Sequence, residues 1–331
     1  IFLSEKQKEA IEAVNNNNVC IITGGPGTGK TTIIKSIIEL YKKHKKKAVL
    51  CAPTGRAAKR MTETTGQEAK TLHRLLEIGK IEDEGNYENI DYDIAPLDAD
   101  VVIVDEMSMV DVFLMNYLVK ALYQGTKLIL VGDVDQLPSV GPGNVLEDLI
   151  NSEKITTITL NKIFRQAAKS KIILNSHRIN NGKTFIKKEE LEDEVNEDFF
   201  YIKQNNQDAI LKEVISLCSG RLKKMGNYDF FKNIQVITPT KKGSLGTKDL
   251  NRALQEQLNP ASESKKEKNV LGTIYRVGDK VMQVKNNYDI FWERNTQNIS
   301  HENGSGVFNG ELGIIEKIDD IEKQMKVRFD D

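Results

Sequence analysis

Short apolar runs recur through the first half of the chain, at Val19 to Thr23, Ala48 to Ala52, Val101 to Val104 and Leu128 to Val131. Stretches with apolar residues at helical spacing separate them. Each run is too continuous for a strand with one wet face, so the pattern predicts parallel strands buried between helices on both sides. The helices are legible at their ends. Ser4, with Gln7 three residues on, makes a capping-box pattern ahead of Ala10, Ile11 and Val14, and the Asn15 to Asn18 run ends that helix. A second helix is predicted from about Lys30 through Leu40. A third covers Asp111 to Leu122, with Phe113, Leu114, Tyr117, Leu118 and Leu122 on a broad apolar stripe.

From about Thr157 the alternation starts again. TITL reads as a strand, Ala168 to Ile179 as a helix, Phe199 to Ile202 as a strand, Ala209 to Leu217 as a helix, Ile234 to Thr238 as a strand and Lys248 to Leu258 as a helix. Beyond Pro260, ASESKKEKN reads as a linker, and the segments VGDKVMQVKNN and NGELGIIEKI alternate like antiparallel strands joined by Gly and Asn turns. The pattern therefore predicts a first α/β domain over 1–155, a partial second one over 156–260 and a partial small β module over 265–331. A polar stretch at about 79–96, KIEDEGNYENIDYDIA, is predicted to be a surface insertion or hairpin on the first domain. The acidic stretch from Glu189 to Asp198 reads as a solvated connection.

Composition narrows the class. The 331 residues suit roughly two domains of about 150 residues each, which excludes a peptide-sized scaffold. Lys and Arg total 47 against 48 Asp and Glu, a net charge of −1, so average charge does not advertise a polyanion binder. The three cysteines, Cys20, Cys51 and Cys218, have neither zinc-site nor disulfide spacing, which fits a reducing compartment. No apolar run approaches a membrane span and the start lacks a signal-peptide pattern, so a cytoplasmic protein without membrane contact is expected. The first residue is Ile1 and the last run is KVRFDD, so an excerpt of something longer is expected.

The strongest chemical signal is Gly24-Gly25-Pro26-Gly27-Thr28-Gly29-Lys30-Thr31, followed by Thr32, with the strand VCIIT before it and a helix after it. A triphosphate is multiply anionic. Such a loop surrounds it with backbone N–H groups and a helix N-terminus, while Lys30 reaches the β and γ oxygens and Thr31 places a hydroxyl on Mg2+. Asp105 and Glu106 follow a buried strand, where an open sheet gathers its ligands. Asp105 suits Mg2+, held directly or through water, and Glu106 suits the general base that polarises the attacking water. Gln136, after a further strand, can feel the γ-phosphate through a hydrogen bond without neutralising it; the alternative is a polar loop. Arg165 can bring a guanidinium to the transferring phosphoryl group, or make a structural salt bridge. ATP and Mg2+ are the implied ligands.

These motifs resemble those of superfamily one helicases, specifically the RecD/TraA-type DNA helicases that move 5′ to 3′. The resemblance runs through ITGGPGTGKT, APTGRAAKRM at Ala52 to Met61, TLHRLL at Thr71 to Leu76, VIVDEMSMVD at Val102 to Asp111, LVGDVDQLPSVGPGNVL at Leu130 to Leu146 and IFRQ at Ile163 to Gln166. It continues through ITPTKKGSLGTKDLNRALQEQLNP and YRVGDKVMQVKNNYD to VFNGELG. It implies an α/β P-loop NTPase fold with RecA-like motor domains built on parallel sheets, plus the start of a small SH3-like β-barrel module. Gln7 is similar to the glutamine that reads the adenine edge. Single-stranded DNA would touch Pro53, Thr54, Gly55 and Arg56, the neighbourhood of His73, and the loop from Ser139 to Asn144. Thr54 and Arg56 also make independent physical sense, since a hydroxyl and a guanidinium at a strand end suit phosphate contacts that position without reading bases. His73 has the alternative of capping or packing a helix, and Asn144 that of a helix N-terminal contact. Thr238, Thr240 and Lys241 are candidates on the second domain's side of the DNA track.

The family carries a small strand-separating hairpin where this chain has its polar insertion, whose only aromatic residues are Tyr87 and Tyr92. The family's late motifs, which complete the second motor domain, are expected beyond Asp331. The implied function is an ATP-dependent motor that translocates 5′ to 3′ on single-stranded DNA and opens DNA forks in repair or recombination, as a monomer. The rival readings are a non-motor nucleotide-switch ATPase, a nucleic-acid-binding fragment without useful hydrolysis, and an RNA helicase, since phosphate contacts separate DNA from RNA poorly.

Overall fold

A computed structural model describes residues 3–78, 94–186, 195–226, 228–285, 287–295, 301–307 and 309–329. The chain divides into one unit formed by Ile1–Phe200 with Lys285–Gly310, and another formed by Tyr201–Val284 with Glu311–Asp331.

The first unit opens with α1 (Glu5–Asn16), whose capping box forms as the sequence pattern requires: Ser4 Oγ accepts from Gln7 N–H and the Gln7 side chain accepts from Ser4 N–H. In chain order there follow β1 (Val19–Gly24), α2 (Lys30–Lys43), β2 (Ala48–Ala52), α3 (Gly55–Thr65), β3 (Ala69–Thr71), α4 (Leu72–Leu75), β4 (Val101–Val104), α5 (Val112–Lys120), β5 (Lys127–Gly132), α6 (Val145–Asn151) and β6 (Thr156–Leu160). The short helices α7 (Arg165–Ala168) and α8 (Lys171–Asn180) come next. The six strands form one parallel sheet in the order β3-β2-β4-β5-β1-β6.

Alternate residues of each strand enter opposite cores. Ile22, Ile103, Ile129 and Val131 pack with Ile33, Ile34 and Ile37 of α2 on one face. Ile21, Val102, Val104, Leu128 and Leu130 pack with Leu114 and Leu118 of α5 on the other. Burial on both faces is why the strands read as unbroken apolar runs, and each such side chain contributes about 1.5–3 kcal/mol by leaving water.

One expected boundary is corrected here. Thr156–Leu160, read from the sequence as the first strand of the second domain, is instead the edge strand of the first sheet, paired with β1 from Cys20↔Thr156 to Gly24↔Leu160. The cause is its alternation: Ile158 and Leu160 enter the same core layer as Ile22, while Thr159 between them is exposed on the opposite face. The strands expected at Phe199 to Ile202 and Ile234 to Thr238 do not form among the described residues; Phe200, Tyr201 and Ile237 are exposed. An apolar run becomes a strand only beside a hydrogen-bonding neighbour, and no ladder reaches these two. The expected Ala168 to Ile179 helix is broken between α7 and α8 by Ser170, which caps α8 by accepting from Ile173 N–H at 3.4 Å. The expected insertion at about 79–96 lies outside the described residues except for its last three positions.

The second unit contains α9 (Gln207–Ser216), α10 (Leu222–Gly226), α11 (Phe230–Asn233), α12 (Thr247–Leu258), β7 (Glu267–Val270), β8 (Thr273–Arg276) and β9 (Lys280–Met282). The hairpin β10 (Asn287–Asn295) with β11 (His301–Val307) interrupts it in sequence, and β12 (Leu312–Asp319) and β13 (Gln324–Phe329) complete it. Its strands form the antiparallel sets β13-β12-β9 and β7-β8. The linker expected after Pro260 does not separate α12 from the strands. Gln255 Nε2 donates to Asp279 at 2.6 Å and Asn259 Nδ2 to Asp279 at 2.8 Å, while the buried Arg276 donates to the Asn259 carbonyl and, at 2.5 Å, to Glu267.

All three cysteines are buried and unpaired, and burial pushes each thiol up, Cys20 to about 11. Among the described residues no helix is long and apolar enough to cross a membrane. If β6 belongs to the first core, Leu160→Ala costs about 2–5 kcal/mol in a urea melt, whereas Thr159→Ala on the same strand's wet face stays within about 0.5 kcal/mol.

Candidate active site

The loop between β1 and α2 reverses direction through two residues that only glycine fills without strain, Gly27 at φ 75° and Gly29 at φ 87°. Gly29 is the N-cap of α2, so the helix presents its open N–H groups to whatever sits in the loop. Lys30 begins the helix and folds its ammonium back to donate to the carbonyls of Gly24, at 2.5 Å, and Gly25, at 3.2 Å. Thr28 is buried and its hydroxyl donates to the Gly25 carbonyl at 2.8 Å, closing the loop on itself. Gln7 reaches the same loop from α1. Its Oε1 is taken by Ser4 N–H at 3.0 Å, while its Nε2 is buried without a partner, 2.5 Å from where a side chain at Gly29 would begin. The ring of Phe164 lies 2.9 Å from the same position. An orphaned amide donor and an aromatic ring beside one glycine suit the edge and face of a heterocyclic base.

The acidic pair leaves β4 beside this loop. Asp105 N–H donates to the Cys51 carbonyl at 2.9 Å, continuing the strand by one residue, and Glu106 N–H then donates to Asp105 Oδ1 at 2.9 Å. Glu106 sits at φ 54°, a left-handed conformation that costs a non-glycine residue about 1–3 kcal/mol and is typically kept where it aims a functional group. Burial holds both carboxyls above the usual carboxylate range. Asp105 is pulled back by Glu106 N–H, Lys30 and Arg60; Glu106 is raised further by Asp105 and lowered by Lys30 and Arg60.

These groups line one cleft of about 800 Å³, shared by Gly25 to Thr32, Asp105, Glu106, Gln136 and Phe164. Gln136 is brought there by a turn after β5 in which its N–H donates to the Asp133 carbonyl at 3.1 Å. One wall had no counterpart in the sequence reading. Ala57, Arg60, Met61 and Thr64 of α3, at spacings of three and four, present one helical stripe to the cleft, and Arg60 adds a second cation opposite the acidic pair. Ala57, Arg60 and Met61 of that stripe lie within APTGRAAKRM, which was the available signal. Arg165 opens α7 directly after Phe164; its side chain lies outside the described residues.

The residues expected to touch DNA are spread more widely. Pro53 and Thr54 join β2 to α3, which Gly55 and Arg56 open, and the Thr54 hydroxyl caps α3 by accepting from Ala57 N–H at 3.2 Å. That leaves its own O–H for donation. His73 is half-buried in α4. Ser139 donates to the carbonyls of Gly141 and Gly143 at 3.0 and 3.2 Å, which folds the loop ahead of α6. Asn144 stands at the N-cap of α6 but its amide bonds Glu147 instead of the helix backbone. Thr238 and Thr240 belong to the second unit and donate to the carbonyls of Leu245 and Lys242 at 2.6 and 3.2 Å, with Lys241 exposed beside them.

Comparison with known proteins accounts for both units. Residues 7–142 match the AAA domain model, and residues 250–329 match the SH3 domain model of ATP-dependent RecD-like DNA helicases. The second match begins inside α12, in keeping with the contacts that join this helix to the strands. The chain is 33% identical to the ATP-dependent RecD2 DNA helicase of Deinococcus radiodurans over 95% of its own length and 38% of that protein's. It is 28% identical to the RecD subunit of the RecBCD enzyme of Buchnera aphidicola over 93% of its own length and 58% of that subunit's. Thus the chain spans well under two thirds of these relatives. Its fold matches that of a solved Pif1 helicase, from a pair that unwinds forked double-stranded DNA, with a TM-score of 0.52 at 20% identity over 100% of this chain and 74% of that one. The phosphate loop, the acidic pair and the SH3-like module, in this order, make the chain similar to RecD-like DNA helicases over nearly its whole length.

Proposed function

We propose that the chain is the nucleotide-hydrolysing part of a helicase motor that moves 5′ to 3′ along single-stranded DNA and opens duplex forks. The observation that carries this reading is the convergence of Lys30, Thr31, Asp105, Glu106 and Gln136 on a single cleft. The base of ATP lies beside Gln7 and Phe164, with the unpartnered Gln7 amide donating to a ring nitrogen. The triphosphate lies along Gly25 to Thr32, against the α2 N-terminus and Lys30. Thr31 and Asp105 offer a hydroxyl and a carboxylate, hard oxygen donors that fit Mg2+, and the ion when bound neutralises charge on the phosphate oxygens. Glu106, made more basic by burial and by Asp105, takes the proton of the attacking water. Gln136 hydrogen-bonds the γ-phosphate, and Arg165 supplies a further positive charge to the transferring group.

DNA enters the same scheme through α3. Thr54 and Arg56 at its start are proposed phosphate contacts, together with Pro53, Gly55, His73, Ser139 and Asn144, while its stripe at Arg60 meets the acidic pair. Strand binding at one end of a rigid helix thereby biases the arrangement of charges at the other. Thr238, Thr240 and Lys241 serve the track on the second unit. The polarity and the roles in repair or recombination rest on the family resemblance.

Single-stranded DNA is expected to raise ATP turnover, measured by phosphate release; turnover unchanged over a wide DNA range would favour a nucleotide switch instead. Lys30→Ala weakens ATP binding, whereas Glu106→Gln keeps binding and suppresses hydrolysis by about 10²-fold or more. If the Glu106→Gln protein turned over like the parent, the general-base role would be wrong. Arg60→Ala lowers kcat by about 10- to 100-fold and lessens stimulation by DNA, with strand affinity by fluorescence anisotropy unchanged. Loss of strand affinity with normal turnover would instead make Arg60 a DNA contact.

A further inference from the structure

The phosphate loop contains more glycine than phosphate binding requires. The pattern needs Gly24 and Gly29, yet positions 25 and 27 are glycine as well. Gly25 has no left-handed backbone to explain it; what excludes a side chain there is the ring of His177, whose Cε1 lies 2.6 Å from the place a Cβ would take. Gly27 is closed in the same way by Ala167, at 2.6 Å, in addition to its positive φ. Two glycines of the loop are thus fitted to α7 and α8, which arrive from about 150 residues later in the chain.

The polar contacts run in one direction. His177 Nε2 is 3.0 Å from the Pro26 carbonyl, and because a carbonyl only accepts, this nitrogen carries the hydrogen and donates it. Phe164 N–H donates to the next carbonyl, that of Gly27, at 3.2 Å. In a trans peptide the N–H points opposite to the C=O. Because His177 Nε2 and Phe164 N–H hold the carbonyls of Pro26 and Gly27, the N–H groups of Gly27 and Thr28 point away from those two groups; Gly27 and Thr28 line the cleft, as do Phe164, Ala167, Ser170 and Ile173.

We propose that His177 is a positioning residue for the phosphate loop: it fixes the Pro26–Gly27 peptide so that its N–H faces the nucleotide phosphates, and Gly25 is glycine to admit the imidazole. The inference rests on the reading of this cleft as a nucleotide site. His177 touches no phosphate itself and acts through the loop.

The test is a double-mutant cycle on this chain, read by steady-state ATPase and by competition of MgATP against a fluorescent ATP analogue, with melting temperatures recorded for every variant. His177→Ala should raise the KM for ATP by about 5-fold, the worth of one hydrogen bond, with kcat within about twofold of the parent. His177→Gln, whose amide can still donate, should recover most of that loss. Gly25→Ala should weaken binding strongly in the parent and much less in the His177→Ala background, because the ring it strikes is gone. An unchanged KM in His177→Ala, or an equal cost of Gly25→Ala in both backgrounds, overturns the proposal. Lys30→Ala is the control that separates the two readings. If it also leaves ATP binding intact, the nucleotide site itself is wrong; if it abolishes binding while the His177 variants bind like the parent, only the role of His177 falls.

Discussion

The chemistry depends on one property of a parallel sheet: every strand delivers its carboxyl end to the same edge. The order β4-β5-β1 makes three of those ends immediate neighbours. Strands in a sheet lie about 4.8 Å apart, so the loop after β1, the turn after β5 and the acidic pair after β4 fall within about 10 Å of one another with no long side chain stretched to meet them. Lys30, Gln136 and the pair Asp105 and Glu106 are one residue set because of that order, although 106 residues separate the first from Gln136 (136 − 30). A triphosphate needs such a constellation, since its charge is spread along a chain of oxygens and no single cation can cover it.

The electrostatics of the cleft show why net charge was a poor guide. Asp105, Glu106 and Asp133 face Lys30 and Arg60, so the local sum is close to balanced before a ligand arrives. Burial holds both members of the acidic pair above the usual carboxylate range, and the two cations pull them back toward ionisation. Burial and these neighbours make Glu106 a stronger base than a solvated carboxylate. None of this leaves a trace in a chain-wide total of −1.

How much of this could be read from the sequence follows from what kind of force sets each feature. The strands at Val19, Ala48, Val101 and Leu128 were legible because double-sided burial writes itself as an unbroken apolar run. The capping box at Ser4 and Gln7 was legible because it is local. The strand at Thr156 was correctly read as a strand but given to the wrong sheet, since TITL states its period and not its partner. Phe199 to Ile202 and Ile234 to Thr238 carry the right composition without a ladder, and composition alone does not make a strand. Arg60 was hidden for a different reason: its neighbours in the motif drew attention to the first turn of α3, while its meaning lies on the helix face three to seven residues on. The boundary at Pro260 failed because a polar, charged segment looks like a linker, whereas here Asn259, Arg276 and Asp279 form a buried hydrogen-bonded cluster that ties α12 to β8. Such clusters are costly unless fully satisfied, so they mark a fixed junction and not a flexible one.

The glycines of the phosphate loop carry the argument one step further. A motif is usually read as the list of residues a ligand requires, and on that reading Gly25 is surplus. Packing gives it a cause. The side of the loop that meets phosphate must be bare backbone so that N–H groups can reach it, and the side that meets His177 must be bare so that the ring can approach closely enough to hold the Pro26 carbonyl. Both ends of the Pro26–Gly27 peptide are then specified, its N–H by the ligand and its carbonyl by a helix distant in sequence. A loop restrained only from within would rearrange when its ligand left. One restrained from both sides keeps its N–H groups aimed, and any displacement of α8 must move the same peptides that meet the nucleotide.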